Sequence, residues 1–436
     1  MASSTILSRK IIKPSPSIPS SHRHYNLSFR DQIANALYLP IAALYSKPEN
    51  HTITQISNIL ENSLSKILFF YYPFAGRIKD TKYVDCSDDD IGGAEYFNVR
   101  VNCQMSEILT NPYNDAIEIV FPQNLPWSDS LSKERSSLVV VQLSHFDCGG
   151  VAVGICLSHK IADGYSAFKF LSDWISMARD DELNFQPSPQ FDGASFFPPI
   201  DNPPPMPNVV PDPQRCVSRM YNFSSSSLFK LKNIVVSTNS QIQNNPSRIE
   251  VATAFLHKCG VDVSMAKSGM FRPTVLFHVM NLRPPIPLNT MGNATCVFST
   301  IAMTEDNITL PNYVGELQKA KLQLRDELKD MNTYQLASHG IEKIKEIINI
   351  AKQDVFDMYF CTSLCTFGSH KIDFGWGSPL RVTQVKHPMK NKFNFMDDPS
   401  GEGINVLITL TEADMFLFQS NKELLEFASP VIQSLE

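Results

Sequence analysis

The 436-residue chain contains no run near the ~18 apolar residues that would span a bilayer. Its opening, Met1-Ala2-Ser3-Ser4-Thr5-Ile6-Leu7-Ser8-Arg9-Lys10, lacks the apolar core of a signal peptide, and Gln433-Ser434-Leu435-Glu436 is neither a peroxisomal nor a retention signal. Cytosol is the expected compartment. Charged residues are sparse, at 19%, and the formal net charge is −6, which gives no general reason to expect nucleic acid as a partner. That balance still leaves room for a local basic pocket facing a phosphorylated cofactor. No Cys-x-x-Cys pair or Cys/His cluster suggests zinc, so no metal is expected. The nine cysteines (86, 103, 148, 156, 216, 259, 296, 361 and 365) are odd in number and scattered, several within apolar runs, as expected of reduced core thiols. Cys361 and Cys365 lie four apart with nothing nearby to complete a metal site.

What is present is an ordinary globular composition, 43% hydrophobic, in a chain long enough for two cores. Residues 151–157 form a short aliphatic run after Gly149-Gly150 and read as a buried strand. After Gly164 the period becomes helical, with Phe168, Leu171 and Trp174 on one stripe to about residue 177. His159 therefore sits where a core strand turns, a place that fixes an imidazole while leaving one ring nitrogen open. A neutral imidazole is the natural general base near neutrality. Taken alone, His159-x-x-x-Asp163 does not separate such a base from a structural buried histidine.

Upstream, residues 53–70 read as a helix capped by Thr52 or Thr54 and stopped by Tyr72-Pro73-Phe74-Ala75-Gly76. Short strands near 83–84, 97–101 and 138–143 lead to the histidine. Between residues 187 and 213 lie ten of the 29 prolines, including Pro203-Pro204-Pro205, which excludes helix and central strand. This reads as a stiff connection, with Phe191, Phe196 and Phe197 as surface anchors. Beyond it, strands at 219–223, 274–281, 360–364, 393–396 and 404–410 alternate with helices at 225–236, after Ser247, within 310–353, and at 412–431. Mixed strands and helices on both sides imply α/β architecture with two similar lobes, 1–186 and 214–436, joined by 187–213.

His159-Lys160-Ile161-Ala162-Asp163-Gly164, together with Asp373-Phe374-Gly375-Trp376-Gly377, resembles the signature pair of the plant BAHD acyl-CoA-dependent acyltransferases. Tyr72-Pro73-Phe74-Ala75-Gly76-Arg77, Cys148-Gly149-Gly150, Ser247-Arg248-Ile249-Glu250, Asn281-Leu282-Arg283 and Gly292-Asn293 agree in order, from about residue 8 to the C-terminus. Within the family the chain looks closest to the branch that acetylates alkaloids and alcohols. The resemblance implies two chloramphenicol-acetyltransferase-like lobes with a crossover loop and a channel between them. It further implies a monomer and direct acyl transfer in a ternary complex, with acetyl-CoA as co-substrate, no permanently bound cofactor and a small-molecule alcohol as acceptor. His159 Nε2 would take the alcohol proton and return it to the CoA thiolate, worth about 10² to 10⁴ in rate. Asp163 would pair with Arg283 and shape the loop, and Asp373, Gly375 and Trp376 would be structural.

By the same resemblance Thr362 is the hydroxyl residue near the oxyanion, but Leu364 stands where relatives carry a tryptophan. Gly368-Ser369-His370-Lys371 also departs from the family pattern. Ser247 and Arg248 match the CoA-binding loop, although Ser247 reads equally as a helix N-cap. Asp398 and Gly401-Glu402-Gly403 are expected to border the same channel. Alternatives are a malonyl or hydroxycinnamoyl donor, an amine acceptor, or an idle ligand-binding member of the family.

Overall fold

The computed structural model describes residues 2–87, 92–111, 114–122, 136–179, 186–203, 212–238 and 245–432. The expectations for Met1, for residues 433–436 and for residues 204–211 of the proline-rich stretch, Pro204-Pro205 included, lie outside them.

Two mixed sheets carry the fold. The first has six strands, in the order Ser4–Ile12, Ala94–Val101, Val139–Phe146, Val151–Ser158, Tyr38–Tyr45 and Arg381–Thr383. The second has seven, in the order Thr295–Ala302, Thr274–Asn281, Asp357–Ser363, Lys392–Asp397, Ile404–Thr411, Cys216–Phe223 and Ser429–Pro430. Each sheet supports its own core. Val151–Ser158 is buried at every position, as suits a continuous aliphatic run inside a sheet covered on both faces. Helix Ile53–Phe70 is capped by Thr52, whose hydroxyl accepts the Gln55 N–H; it buries Ile56, Leu60, Leu64 and Ile67 in the first core and lies beside helix Gly164–Arg179, whose Trp174 Nε1 donates to Ser63 Oγ. In the second lobe, helices Ser225–Thr238, Arg248–Ser268 and Leu310–Lys329 cover one sheet face.

The two cores exchange elements across the expected boundaries. Strand Arg381–Thr383 pairs with Tyr38–Tyr45 in the first sheet, while Phe29 and Ile33 of the short helix Phe29–Ile33 enter the second core. In the described part of the connection, Phe191 packs among Tyr25, Tyr71, Tyr72 and Phe74 of the first lobe, and Phe197 is buried in the second. One expected helix is corrected: residues 412–431 form two short helices, Glu412–Phe418 and Lys422–Phe427, followed by the edge strand Ser429–Pro430. Asn421 causes the break, because its side chain caps a new helix by accepting the Leu424 N–H. Pro430 is tolerated because the strand lies at the sheet edge.

All nine cysteines are free and eight are buried, Cys148 being exposed. Among the described residues no cluster of His, Cys, Asp and Glu could hold a metal, and no helix is long and apolar enough to cross a membrane.

His257 is fully buried between the rings of Tyr313 and Tyr359, each 4.6 Å away, and neither ring nitrogen has a partner. Burial pushes its pKa from 6.5 down to about 3. The unfolded chain therefore binds the proton first, so this contribution is complete above pH 6.5 and is lost as pH falls below it. We expect a loss of about 2 kcal/mol between pH 6.5 and 5 from this one residue. Urea unfolding across that range should show a shallower pH dependence in His257→Phe; equal slopes in the two proteins would refute the assignment.

Candidate active site

His159 follows the last residue of strand Val151–Ser158 and is fixed by its backbone. Its N–H donates to the Leu37 carbonyl at 2.8 Å, and its own carbonyl accepts Asn293 Nδ2 at 2.8 Å. Asn293 is held in turn by Asp31, whose Oδ1 accepts both its N–H and its Nδ2 at 2.8 Å. Asp31 Oδ2 accepts from Ser28 N, Ser28 Oγ and the Tyr25 hydroxyl. Burial raises the Asp31 pKa, opposed by these hydrogen bonds. The His159 ring is half-buried, and its Nδ1 is buried without a partner. Burial is the largest cause lowering its pKa, so the imidazole is neutral near pH 7; the nearby Asp163 charge acts in the opposite direction and Lys392 acts with the burial.

Asp163 does not touch His159 through a hydrogen bond. Its Oδ2 accepts Arg283 Nη1 at 2.8 Å and Ala294 N at 2.9 Å, while Oδ1 accepts Ser166 N at the start of helix Gly164–Arg179. Arg283 spends its other donors on Thr290 O, Gly292 O, Asn281 Oδ1 and Ser166 Oγ, and its guanidinium lies over the Tyr165 ring at 4.8 Å. The two side chains are 1% and 0% exposed. The pair therefore clamps second-lobe residues 281–294 onto the histidine loop, and no Ser-His-Asp style relay is assembled.

Strand alternation places the remaining residues. On Asp357–Ser363, Tyr359 and Cys361 point into the second core, so Phe360 and Thr362 face the first lobe, where Leu364 joins the first core. Leu364 packs directly on the histidine loop: a Cβ at Gly164 would come within 2.5 Å of Leu364 Cδ2. Leu364 therefore makes an apolar contact with the histidine loop.

Ser247 caps helix Arg248–Ser268, its hydroxyl accepting Glu250 N and its N–H donating to Glu250 Oε2. Arg248 braces the 401–403 turn through the carbonyls of Gly401 and Glu402 and lies 3.6 Å from Asp397. Asp398 shapes that turn by accepting Ser400 Oγ and Gly403 N. Asp373 Oδ1 accepts Gly375 N and Gly377 N, both glycines having φ above 100°, and Asp373 pairs with Arg179 at 3.1 Å. Trp376 stacks on Phe374 and meets Tyr45 edge-on. This second signature motif thus braces the first sheet rather than joining the residues around His159.

His159 thus stands at a strand end, facing a second lobe built on its own sheet. The crystal structure of vinorine synthase has this fold, with a TM-score of 0.82 and 28% identity over 99% of this chain and 100% of that one. The Transferase family model matches residues 2–425, and the chain belongs to that family, the BAHD acyltransferases, which use acyl-CoA as co-substrate with a small-molecule acceptor. Acylsugar acyltransferase 3 of Solanum lycopersicum is 57% identical over the full length of both chains. Deacetylvindoline O-acetyltransferase of Catharanthus roseus is 33% identical over 97% of each.

Asp31, Lys392 and Asn394 also belong to this region; among them only Asp31 carries a local signal, the Ser-x-x-Asp cap at Ser28.

The ion pair yields a stability test. Asp163→Ala leaves the Arg283 charge buried and alone and should cost about 3 to 5 kcal/mol. The double variant Asp163→Ala/Arg283→Met should lose less than the sum of the two single losses. Chemical denaturation of all four proteins checks this; strict additivity would remove the coupling.

Proposed function

We propose that the protein transfers an acyl group from acyl-CoA directly to a hydroxyl of a plant specialised metabolite, with His159 as general base. The observation that carries this reading is His159 itself: a neutral imidazole held by its backbone at a strand end, with Nδ1 buried and, among the described residues, no carboxylate hydrogen-bonded to the ring. With the proton on Nδ1, Nε2 takes the alcohol proton as the oxygen attacks the thioester carbonyl. The tetrahedral intermediate then collapses, the C–S bond breaks, and the proton passes to the thiolate. Thr362 is the candidate donor to the oxyanion. Ser247, Arg248 and Asp398 are the candidate border of the CoA channel, Ser247 mainly through the helix it caps. Asp163, Arg283, Asp373, Gly375 and Trp376 serve as scaffold.

For the acceptor we favour a partly acylated sugar over an alkaloid. The acylsugar relative is 57% identical end to end, against 33% for the alkaloid O-acetyltransferase. Acetyl-CoA is the assigned donor, following the resemblance to alcohol-acetylating relatives.

Thiol release from acetyl-CoA and from longer acyl-CoAs, measured with partly acylated sugars and with hydroxylated alkaloids, tests both assignments. Release should require a sugar ester and fall by about 10² to 10⁴ in His159→Ala. Because the His159 pKa lies below 6.5, the acid limb of kcat/KM should fall below that pH. Full activity in the alanine variant would sink the base assignment, and turnover of alkaloids alone would sink the acceptor assignment.

A further inference from the structure

We propose that Lys392 and Asn394 form a polar subsite for hydroxyl groups of the acceptor, on the sheet face that carries Thr362, with the lysine a neutral amine in the ligand-bound arrangement. This rests on the acyltransferase reading above and names part of its specificity. On strand Lys392–Asp397, Phe393 and Phe395 point into the second core, so Lys392, Asn394 and Met396 face the first lobe, and Met396 joins its core. The parallel register sets Lys392 beside Phe360 and Asn394 beside Thr362. Lys392 is also close enough to His159 for its charge to act on the imidazole.

The protonation state follows from the hydrogen bonds. Lys392 Nζ lies 3.0 Å from His387 Nε2, while His387 Nδ1 accepts the Met389 N–H at 3.1 Å. A neutral imidazole whose Nδ1 accepts carries its proton on Nε2. That Nε2–H can donate to Lys392 only if the amine is uncharged. Burial acts in the same sense, pushing the His387 pKa well down and that of Lys392 to about 8, so the amine gives up its proton far more readily than an ordinary lysine and is mostly neutral above pH 8. Among the described residues no carboxylate pairs with Lys392; the titratable groups acting on it are His387, from the loop before its strand, and His159, from the first lobe. The nearest aromatic face, Phe360, is 5.9 Å away.

A neutral amine that accepts from His387 keeps two N–H donors. Asn394 Nδ2 donates to Gln384 Oε1 at 3.2 Å, which leaves Oδ1 buried with no partner. Donors and an acceptor thus stand two residues apart on one strand face. A hydroxyl group supplies both complements without charge. A carboxylate would require a protonated lysine, would break the His387 tautomer and would face the Asn394 oxygen. The chemistry therefore selects a neutral, hydroxyl-bearing ligand.

Competitive labelling of the intact protein with trace acetic anhydride, read by peptide mass spectrometry as a function of pH, should show Lys392 titrating near 8. Titration with surface lysines near the ordinary value of about 10.4 would overturn the proposal. In turnover assays, Lys392→Met should raise KM for a hydroxyl-rich acceptor about tenfold, with kcat and the acyl-CoA KM within about twofold. Lys392→Arg should weaken acceptor binding as much, because a guanidinium stays charged. An unchanged acceptor KM in Lys392→Met, or full acceptor affinity in Lys392→Arg, would overturn the subsite in favour of a spectator or an anion site. Absence of transfer by the wild type with every acceptor would instead count against the acyltransferase reading, and the labelling would still decide the state of the amine.

Discussion

The catalytic face depends on one buried contact between the lobes, the Asp163–Arg283 pair. Removing two charges from water is costly, and an ion pair offsets that only when the remaining donors and acceptors are also used. Here they are: Asp163 accepts from Arg283, Ala294 and Ser166, and Arg283 donates to two main-chain carbonyls and two side-chain oxygens besides. Because Asp163 directly precedes the helix after the histidine loop, and Arg283 belongs to the second lobe, satisfying the charges fixes the two lobes together at this point. Asn293, on the same second-lobe segment, then reaches the His159 carbonyl. The position of His159 is inherited from a contact that never touches its ring.

A second buried carboxylate tightens the same clamp. Asp31 binds Asn293 from the first lobe, and the approach is so close that a Cβ at Gly292 would lie 3.3 Å from both Asp31 oxygens and from the Tyr25 hydroxyl. Gly292 also has φ +106°, where an L side chain is strained. Glycine here answers both to the backbone and to a polar neighbour that cannot retreat without losing its hydrogen bonds.

Much of this was legible in the sequence because it is local. The 151–157 aliphatic run, the change to helical spacing after Gly164 and the Ser247–Glu250 cap each lie within a few residues, and the strands and helices formed where those patterns predict them. What escaped was non-local. Arg381–Thr383 has no feature that assigns it to the first sheet; its partner strand is more than 300 residues earlier. Asp31 and Asn293 are 262 residues apart. The 412–431 segment failed for a smaller reason: apolar spacing continues through Asn421, and the side-chain cap that splits the helix competes successfully with it. Nothing local marks Lys392 and Asn394, because the sheet face they occupy becomes a lobe interface only in three dimensions.

That interface also bears on how two basic groups coexist in the proposed site. If His159 takes a proton it becomes an imidazolium, and a permanent ammonium nearby would oppose it, just as Lys392 acts to lower the His159 pKa when charged. Weakening the hold of Lys392 on its proton relieves part of that opposition. The device is the Met389 N–H, which occupies His387 Nδ1 and so sends the imidazole proton toward the lysine. The tautomer of one histidine, set by a backbone amide, thereby tunes the basicity available to another, and desolvation of the sheet face keeps both neutral. A neutral lining of this kind suits a reaction between an alcohol and a thioester, in which charge appears only at the transition state and the proton returns to sulfur in the same complex.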